Sequence, residues 1–389
     1  MEELGRMYGI QVPKTIIEIN GCERVGALTR EFQAKRVLIV TDAGVMEAGL
    51  IDKVKGSLEK EKMSFEIFPR CLASAPLASV GECARLIGGR PFDVIIAVGG
   101  GSVMDTAKLA AVAAAHGGDV SVVLEPGKIR NRGVRKIFLP TTSGTGSEVS
   151  NGAVFTDEAT KRKIPVFHEH MWVDAAIIDP ALTLNMPPST TADSGMDALC
   201  HAIEGYTSWK ANILTETLTE RAISLVAGNL RVAYAKGSKH IEARYKMALA
   251  AALAMIGLRT SGSYIVHSMS YILNNKAHLS HGTACALMLP YVMEFNLAGD
   301  MERFARVAEL MGEKTDGLSL REKAERSVTA VRCLSADVGL PRTLGEVGIK
   351  EGDIPEIIDY VFKFHSYQIE NNPRYVRRED LERLLRAAL

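Results

Sequence analysis

Hydrophobic positions in the first half of the chain come as short, nearly continuous runs. Residues 36–41 (RVLIVT), 63–68 (MSFEIF), 94–98 (VIIAV) and 137–139 (IFL) each suit a strand, and helix-like stretches lie between them, the first from about Met46. Continuous runs such as 94–98 predict strands buried on both faces. Strands separated by helices predict a mostly parallel sheet covered on both sides. After Pro187-Pro188 the pattern lengthens: 190–208, 214–236 and 241–258 follow helical spacing with few strand signals. The chain is therefore expected to be an α/β N-terminal domain with a mostly parallel sheet over residues 1–185, followed by an all-helical C-terminal domain over 186–389.

Polar and glycine-rich segments punctuate the strand ends. Gly99-Gly100-Gly101-Ser102 closes the third run and opens a helix-like stretch through Lys108. Without Cβ atoms such a turn can press its backbone against a phosphate, and the first amides of the next helix point at the anion. The spacing is neither GxGxxG nor a P-loop, so a nucleotide pyrophosphate is expected on a turn of a different make. Asp42 ends the first run, where a carboxylate either accepts from ribose hydroxyls and repels a 2′-phosphate, or simply caps the next helix. Pro140-Thr141-Thr142-Ser143-Gly144-Thr145-Gly146-Ser147-Glu148 follows the fourth run and reads as a ligand-wrapping loop or an ordinary connection. Open parallel sheets bind ligands at the carboxyl ends of their strands, which is where these segments fall.

The second half carries a different chemistry. Asp197 and His201 lie four residues apart in GMDALCHAIEG, on one face of a helix. His267 sits in a second apolar segment, and His281 follows just before Gly282. Three imidazoles and a carboxylate suit a borderline divalent metal, Fe(II) or Zn(II). Held mostly by neutral ligands, such an ion keeps positive charge to polarise a substrate oxygen, which points to an enzyme. Other candidates read more plainly. His168 and His170 have strand-face spacing but no third partner. Glu204 is either an acceptor behind His201 or part of a polar helix face. Cys200 points about 100° away from His201, and His116, His240 and His365 read as surface or packing residues.

Composition narrows the classes. A chain of 389 residues suggests two domains. Lys+Arg and Asp+Glu balance at 46 each, giving no footprint for nucleic acid or an anionic membrane. No apolar run is long enough to span a bilayer, and MEELGRMYGIQVPKT lacks the pattern of a secretory leader. Six scattered cysteines (Cys22, Cys71, Cys83, Cys200, Cys285, Cys333) are expected to be reduced, in a cytoplasmic protein.

Several segments together resemble one family, the iron-containing (group III) alcohol dehydrogenases. They are GGGSVMDTAK at 99–108, PTTSGTGSEVS at 140–150, DPALTLNMPPSTTADSGMDALCHAIEGYTS at 179–208, VHSMSYILNNKAHLSHGTACALMLPYVMEFN at 266–296 and NNPRYVRREDLERLLRAAL at the C-terminus. The resemblance covers essentially the whole chain. It implies a dinucleotide-binding α/β domain, an all-helical metal-binding domain and an active site in the cleft between them. It further implies hydride transfer between NAD(P) and a small alcohol or aldehyde, in a homo-oligomer such as a dimer. Asp197, His201, His267 and His281 fall on the family's metal-ligand positions. Gly99, Gly100, Gly101, Ser102, Thr141, Thr142, Thr145, Ser147 and Lys163 fall on its cofactor contacts, and Asp105 and Leu182 are placed with them. Asp42 favours NAD over NADP. Where many members carry a second histidine one turn after the third ligand, this chain has Tyr271, whose phenol is a poor proton exchanger at its usual pKa near 10. His278 is the alternative relay. Two other readings stay open: a lyase resembling 3-dehydroquinate synthase, in which NAD is only transiently reduced, and a non-catalytic metal- or nucleotide-binding protein.

Overall fold

The computed structural model describes residues 9–389. Of the N-terminal stretch read as no secretory leader, residues 1–8 lie outside that description. The chain divides into two compact units, one made of Pro13–Pro187 with Lys236–Ala252, the other chiefly of Pro188–Ala235 and Leu253–Leu389. A single cut near residue 185 does not provide for Lys236–Ala252, which groups with the earlier segment although it is helical.

In the first unit the strands are β1 (Lys14–Ile17), β2 (Arg36–Val40), β3 (Ser64–Phe68), β4 (Val94–Gly99), β5 (Arg135–Pro140), β6 (Gly152–Asp157), β7 (Arg162–Phe167) and β8 (Ala175–Ile178). Six form one sheet in the order β1-β8-β5-β4-β2-β3, every pair parallel, while β6 and β7 make a separate antiparallel pair. Alternate residues feed two apolar layers. Leu38, Val40, Ile95, Ala97 and Phe138 face one, and Val37, Ile39, Ile96, Val98 and Ile137 the other. Burial on both faces explains why these strands read as continuous apolar runs. Helix α1 (Gly101–Ala114) leaves β4 directly.

The second unit is helical. Its α2 (Pro188–Thr207), α3 (Ile213–Lys236), α4 (Ile241–Ser261, whose first half belongs to the sheet unit) and α5 (Ile265–Ala277) precede α6 (His281–Asn296) and α7 (Ile354–Phe364). Helix α2 is buried along nearly its whole length after Thr190, so its polar residues must find partners inside the protein. Among the described residues, no single helix is long and apolar enough to cross a membrane.

Candidate active site

Helix α2 presents Asp197 and His201 one turn apart, α5 presents His267 three residues in, and α6 begins with His281. One donor atom from each of the four lies within 4.8 Å of the others. Asp197 Oδ1 is 3.6 Å from His201 Nε2 and 3.8 Å from His281 Nε2. The His201 and His267 rings stack at 4.9 Å.

Two neighbours fix the orientation of the imidazoles. Glu204 is fully buried, and its Oε1 accepts from the backbone N–H groups of Tyr264 and Val266, both at 3.2 Å. Its Oε2 takes the Nδ1–H of His267, so it is no part of a polar helix face. His267 Nε2 is buried and makes no hydrogen bond among the described residues. Burial works against a charge on His267, but the Glu204 carboxylate outweighs it and raises the imidazole to about 10. A carboxylate behind an imidazole raises its basicity as a ligand. Ser270 does a similar service for His281. Its hydroxyl donates to the His267 carbonyl at 2.8 Å, so at 3.3 Å from His281 Nδ1 it can only accept. The proton of His281 then sits on Nδ1 and its Nε2 lone pair faces Asp197. A buried, basic nitrogen with no protein partner, beside two further imidazoles and a carboxylate, fits a divalent iron or zinc ion.

Tyr271 lies beside this cluster, its ring stacked 5.7 Å from that of His281 and tilted 5.0 Å from that of His365. Burial pushes its phenol well above the ordinary range, helped by Tyr367, Cys285 and Glu204, so it stays protonated. His365, read from sequence as a surface or packing residue without partners, is buried against Tyr271 and Tyr360. His278 is exposed where α5 ends, in a left-handed conformation with φ 52°. His168 and His170 do not share a strand face: β7 stops at Phe167, and His168 Nδ1 caps a short 3-10 turn by accepting from His170 N–H.

In the sheet unit, the glycine turn and the hydroxyl loop are pressed together. A Cβ on Gly101 would lie 2.8 Å from Thr145 Cγ2, and one on Gly100 3.3 Å from Thr142 Cγ2. Gly100 is the N-cap of α1 and brings no side chain to the first amides of that helix. Such a cradle of backbone donors suits a pyrophosphate. Ser102 Oγ accepts from Ser74 N–H at 3.0 Å, and Thr141 N–H reaches the Gly99 carbonyl at 3.0 Å. Asp105 and Ser147, expected among the cofactor contacts, are engaged inside the protein. Asp105 accepts from Ser147 Oγ at 2.7 Å and from Val154 N–H at 2.9 Å. The fully buried Lys108 donates to Ser147 O, Ser147 Oγ and Gly152 O within 2.8 Å. This network ties α1 to the loop from beneath. Sequence reading gave Lys108 no such role. Asp42 is the N-cap of the helix after β2, its Oδ1 accepting from Val45 N–H at 2.9 Å. Lys163 is buried on β7, and Leu182 packs into one apolar layer of the sheet.

A parallel sheet with a glycine turn at a strand end, and a helical unit holding a buried histidine-carboxylate cluster, together match a metal-dependent oxidoreductase that uses a nucleotide cofactor. Comparison with known proteins narrows that class. Residues 13–180 match the family model for iron-containing alcohol dehydrogenase, and residues 191–389 match that for the C-terminal part of the Fe-containing alcohol dehydrogenase family. The NAD-dependent methanol dehydrogenase of Bacillus methanolicus is 34% identical over 97% of this chain and 98% of its own length. Lactaldehyde reductase of Escherichia coli K12 is 34% identical over 94% of this chain and 95% of its own. A crystal structure of 1,3-propanediol oxidoreductase superposes with a TM-score of 0.93 at 34% identity, covering 99% of this chain and all of the other. The chain belongs to the iron-containing alcohol dehydrogenase family. The metal-dependent alcohol–aldehyde oxidoreductase expected from its motifs stands, and the lyase and non-catalytic readings fall away.

Proposed function

We propose that the protein is an NAD-dependent iron enzyme that interconverts a small alcohol and its aldehyde by hydride transfer. The sheet unit, built chiefly on the segment before residue 185, holds the nucleotide, and the helical unit holds the metal. The observation that carries this reading is the convergence of Asp197, His201, His267 and His281 within 4.8 Å, backed by Glu204.

When bound, the divalent ion supplies Lewis acidity toward an alcohol or carbonyl oxygen, and the nicotinamide supplies the hydride acceptor or donor. The protein's own residues do the rest. Glu204 and Ser270 hold the His267 and His281 rings so that both Nε2 atoms face Asp197. The amides at Gly100, Gly101 and Ser102, with the hydroxyls of Thr141, Thr142 and Thr145, cradle the pyrophosphate. Asp105, Ser147 and Lys108 keep that cradle in shape. Lys163 and Leu182 complete the nucleotide's surroundings. The Asp42 oxygen not used in capping accepts from a ribose hydroxyl and repels a 2′-phosphate, hence NAD over NADP. Tyr271 keeps its proton and donates a hydrogen bond, leaving proton exchange with solvent to His278. The six cysteines are all free thiols, five of them buried, in keeping with a cytoplasmic setting.

An anaerobic panel of small alcohols and aldehydes, read at the absorbance of reduced nicotinamide, tests the reading. Turnover is expected with NAD and Fe(II), slower with NADP, lost on chelation and restored by Fe(II). Iron-loaded protein that produces or consumes no NADH with any member of the panel contradicts it.

A further inference from the structure

Helix α2 carries a third polar residue in line with the two in the cluster: Asp193, Asp197 and His201 recur every four residues, one above another. Asp193 Oδ1 accepts from Thr283 N–H at 2.6 Å and Thr283 Oγ1 at 3.1 Å, and also from Ser280 Oγ. Ser280 is the N-cap of α6 and its own side chain makes no capping bond to that helix, so the carboxylate from α2 takes over the capping. The contact is as tight as backbones allow. A Cβ on Gly282 would lie 2.1 Å from the Asp193 carbonyl oxygen, so only glycine lets α6 begin here. His281 is the residue between Ser280 and Gly282, the first of α6, and the one member of the cluster with an appreciably exposed side chain, at 25%. Burial alone does not fix it. Ser270 meets its ring, and the clamp from Asp193 holds the start of the helix that carries it.

We propose that Asp193 is the positioning residue that sets His281 against Asp197 and His201, and thereby sets the affinity of the cluster for a divalent metal. The inference rests on the reading of the cluster as a metal site. Asp193 supplies no ligand atom to the cluster. It acts by holding the start of α6 against the helix that bears the other two donors.

The test is Co(II) binding to apoprotein, followed by chelator competition and by the visible ligand-field bands of the bound ion. Removing a partner that orients a ligand typically weakens metal binding by roughly 10–100-fold, and that loss, with altered bands, is expected for Asp193→Ala. Asp193→Asn keeps the Oδ1 acceptor and is expected to recover affinity to within about threefold of wild type, a smaller loss than deletion of the partner gives. A helix cap with no bearing on the site would change neither affinity nor spectrum. Wild-type affinity and bands in Asp193→Ala therefore overturn the inference while leaving the metal reading intact. Wild-type protein that binds no Co(II) overturns both. Should Asp193→Ala fail to fold, the double variant Ser280→Ala/Thr283→Ala decides, since it removes both hydroxyl donors and keeps the carboxylate. Several-fold weaker binding supports the proposal, and unchanged binding rejects it.

Discussion

The two candidate binding regions are built by opposite means. In the helical unit the working atoms are side-chain lone pairs, carried by α2, α5 and α6 and aimed by Glu204 and Ser270. In the sheet unit the proposed donors are backbone amides, and the geometry depends on the absence of side chains at Gly100 and Gly101 against Thr142 and Thr145. The first region is destroyed by taking atoms away, the second by adding them. That difference makes the two separable by mutation.

The largest effect is expected from deleting a donor. His281→Ala should lower turnover by roughly 10³-fold, about 4 kcal/mol of barrier, while NAD still binds, as calorimetry on the purified variant would show. Loss of NAD affinity in step with turnover would mean that the regions are not independent. Next comes Glu204→Gln, which leaves every metal ligand in place but can no longer accept the His267 Nδ1–H as a carboxylate does. Iron affinity should drop by about 10–100-fold, measured by chelator competition, again with NAD binding unchanged.

On the sheet side, Gly101→Ala adds one methyl group into 2.8 Å of space beside Thr145 Cγ2. Overpacking of this kind costs about 1–3 kcal/mol, and the expected result is roughly tenfold weaker NAD binding with normal iron content. Thr145→Ser in the same chain removes the clashing methyl and should restore part of the loss. Unaltered NAD affinity in the single variant would place the nucleotide elsewhere.

The smallest effect on binding and turnover concerns Glu148, buried in the hydroxyl loop, where desolvation pushes its carboxyl from 4.5 up to about 7 and the readout is stability. The folded chain thus favours the protonated acid. That contribution is fully present below pH 4.5 and is lost as pH rises through 7. Glu148→Gln, which cannot ionise, should be more stable than wild type by about 1–3 kcal/mol at pH 8, and the gap should close toward pH 4.5. Chemical denaturation across that range reads it directly.

Sequence pattern served best where each residue acts through its immediate neighbours. The strands β2, β4 and β5 stand where the apolar runs predict them, because strands covered on both faces need apolar side chains; the edge strand β3 also stands where its run lies, with only Phe68 buried. Strands β1 and β8 escaped notice. Each is four residues long, and they are strands because they pair with each other across most of the sheet unit's sequence. Antiparallel β6 and β7 also left too little pattern to find. Among polar residues, Asp42 shows the helix-capping role foreseen as one of its two readings. Glu204 was only half legible: its spacing from His201 is visible, but its role depends on the backbone N–H groups of Tyr264 and Val266 at the start of α5, distant in sequence. His365 takes the packing role, one of its two readings, and only its neighbours Tyr271 and Tyr360, which meet it after folding, were out of sight. Lys108 looks like an ordinary helix residue until Ser147 and Gly152 are brought over it.

The most direct measurement is the iron content of wild type and His267→Ala after anaerobic loading with Fe(II) and removal of excess metal. Stoichiometric iron in wild type and almost none in the variant, with both chains folded and binding NAD, is the predicted result. Equal iron in the two proteins would contradict the account, because a metal that does not need His267 does not sit among these four side chains.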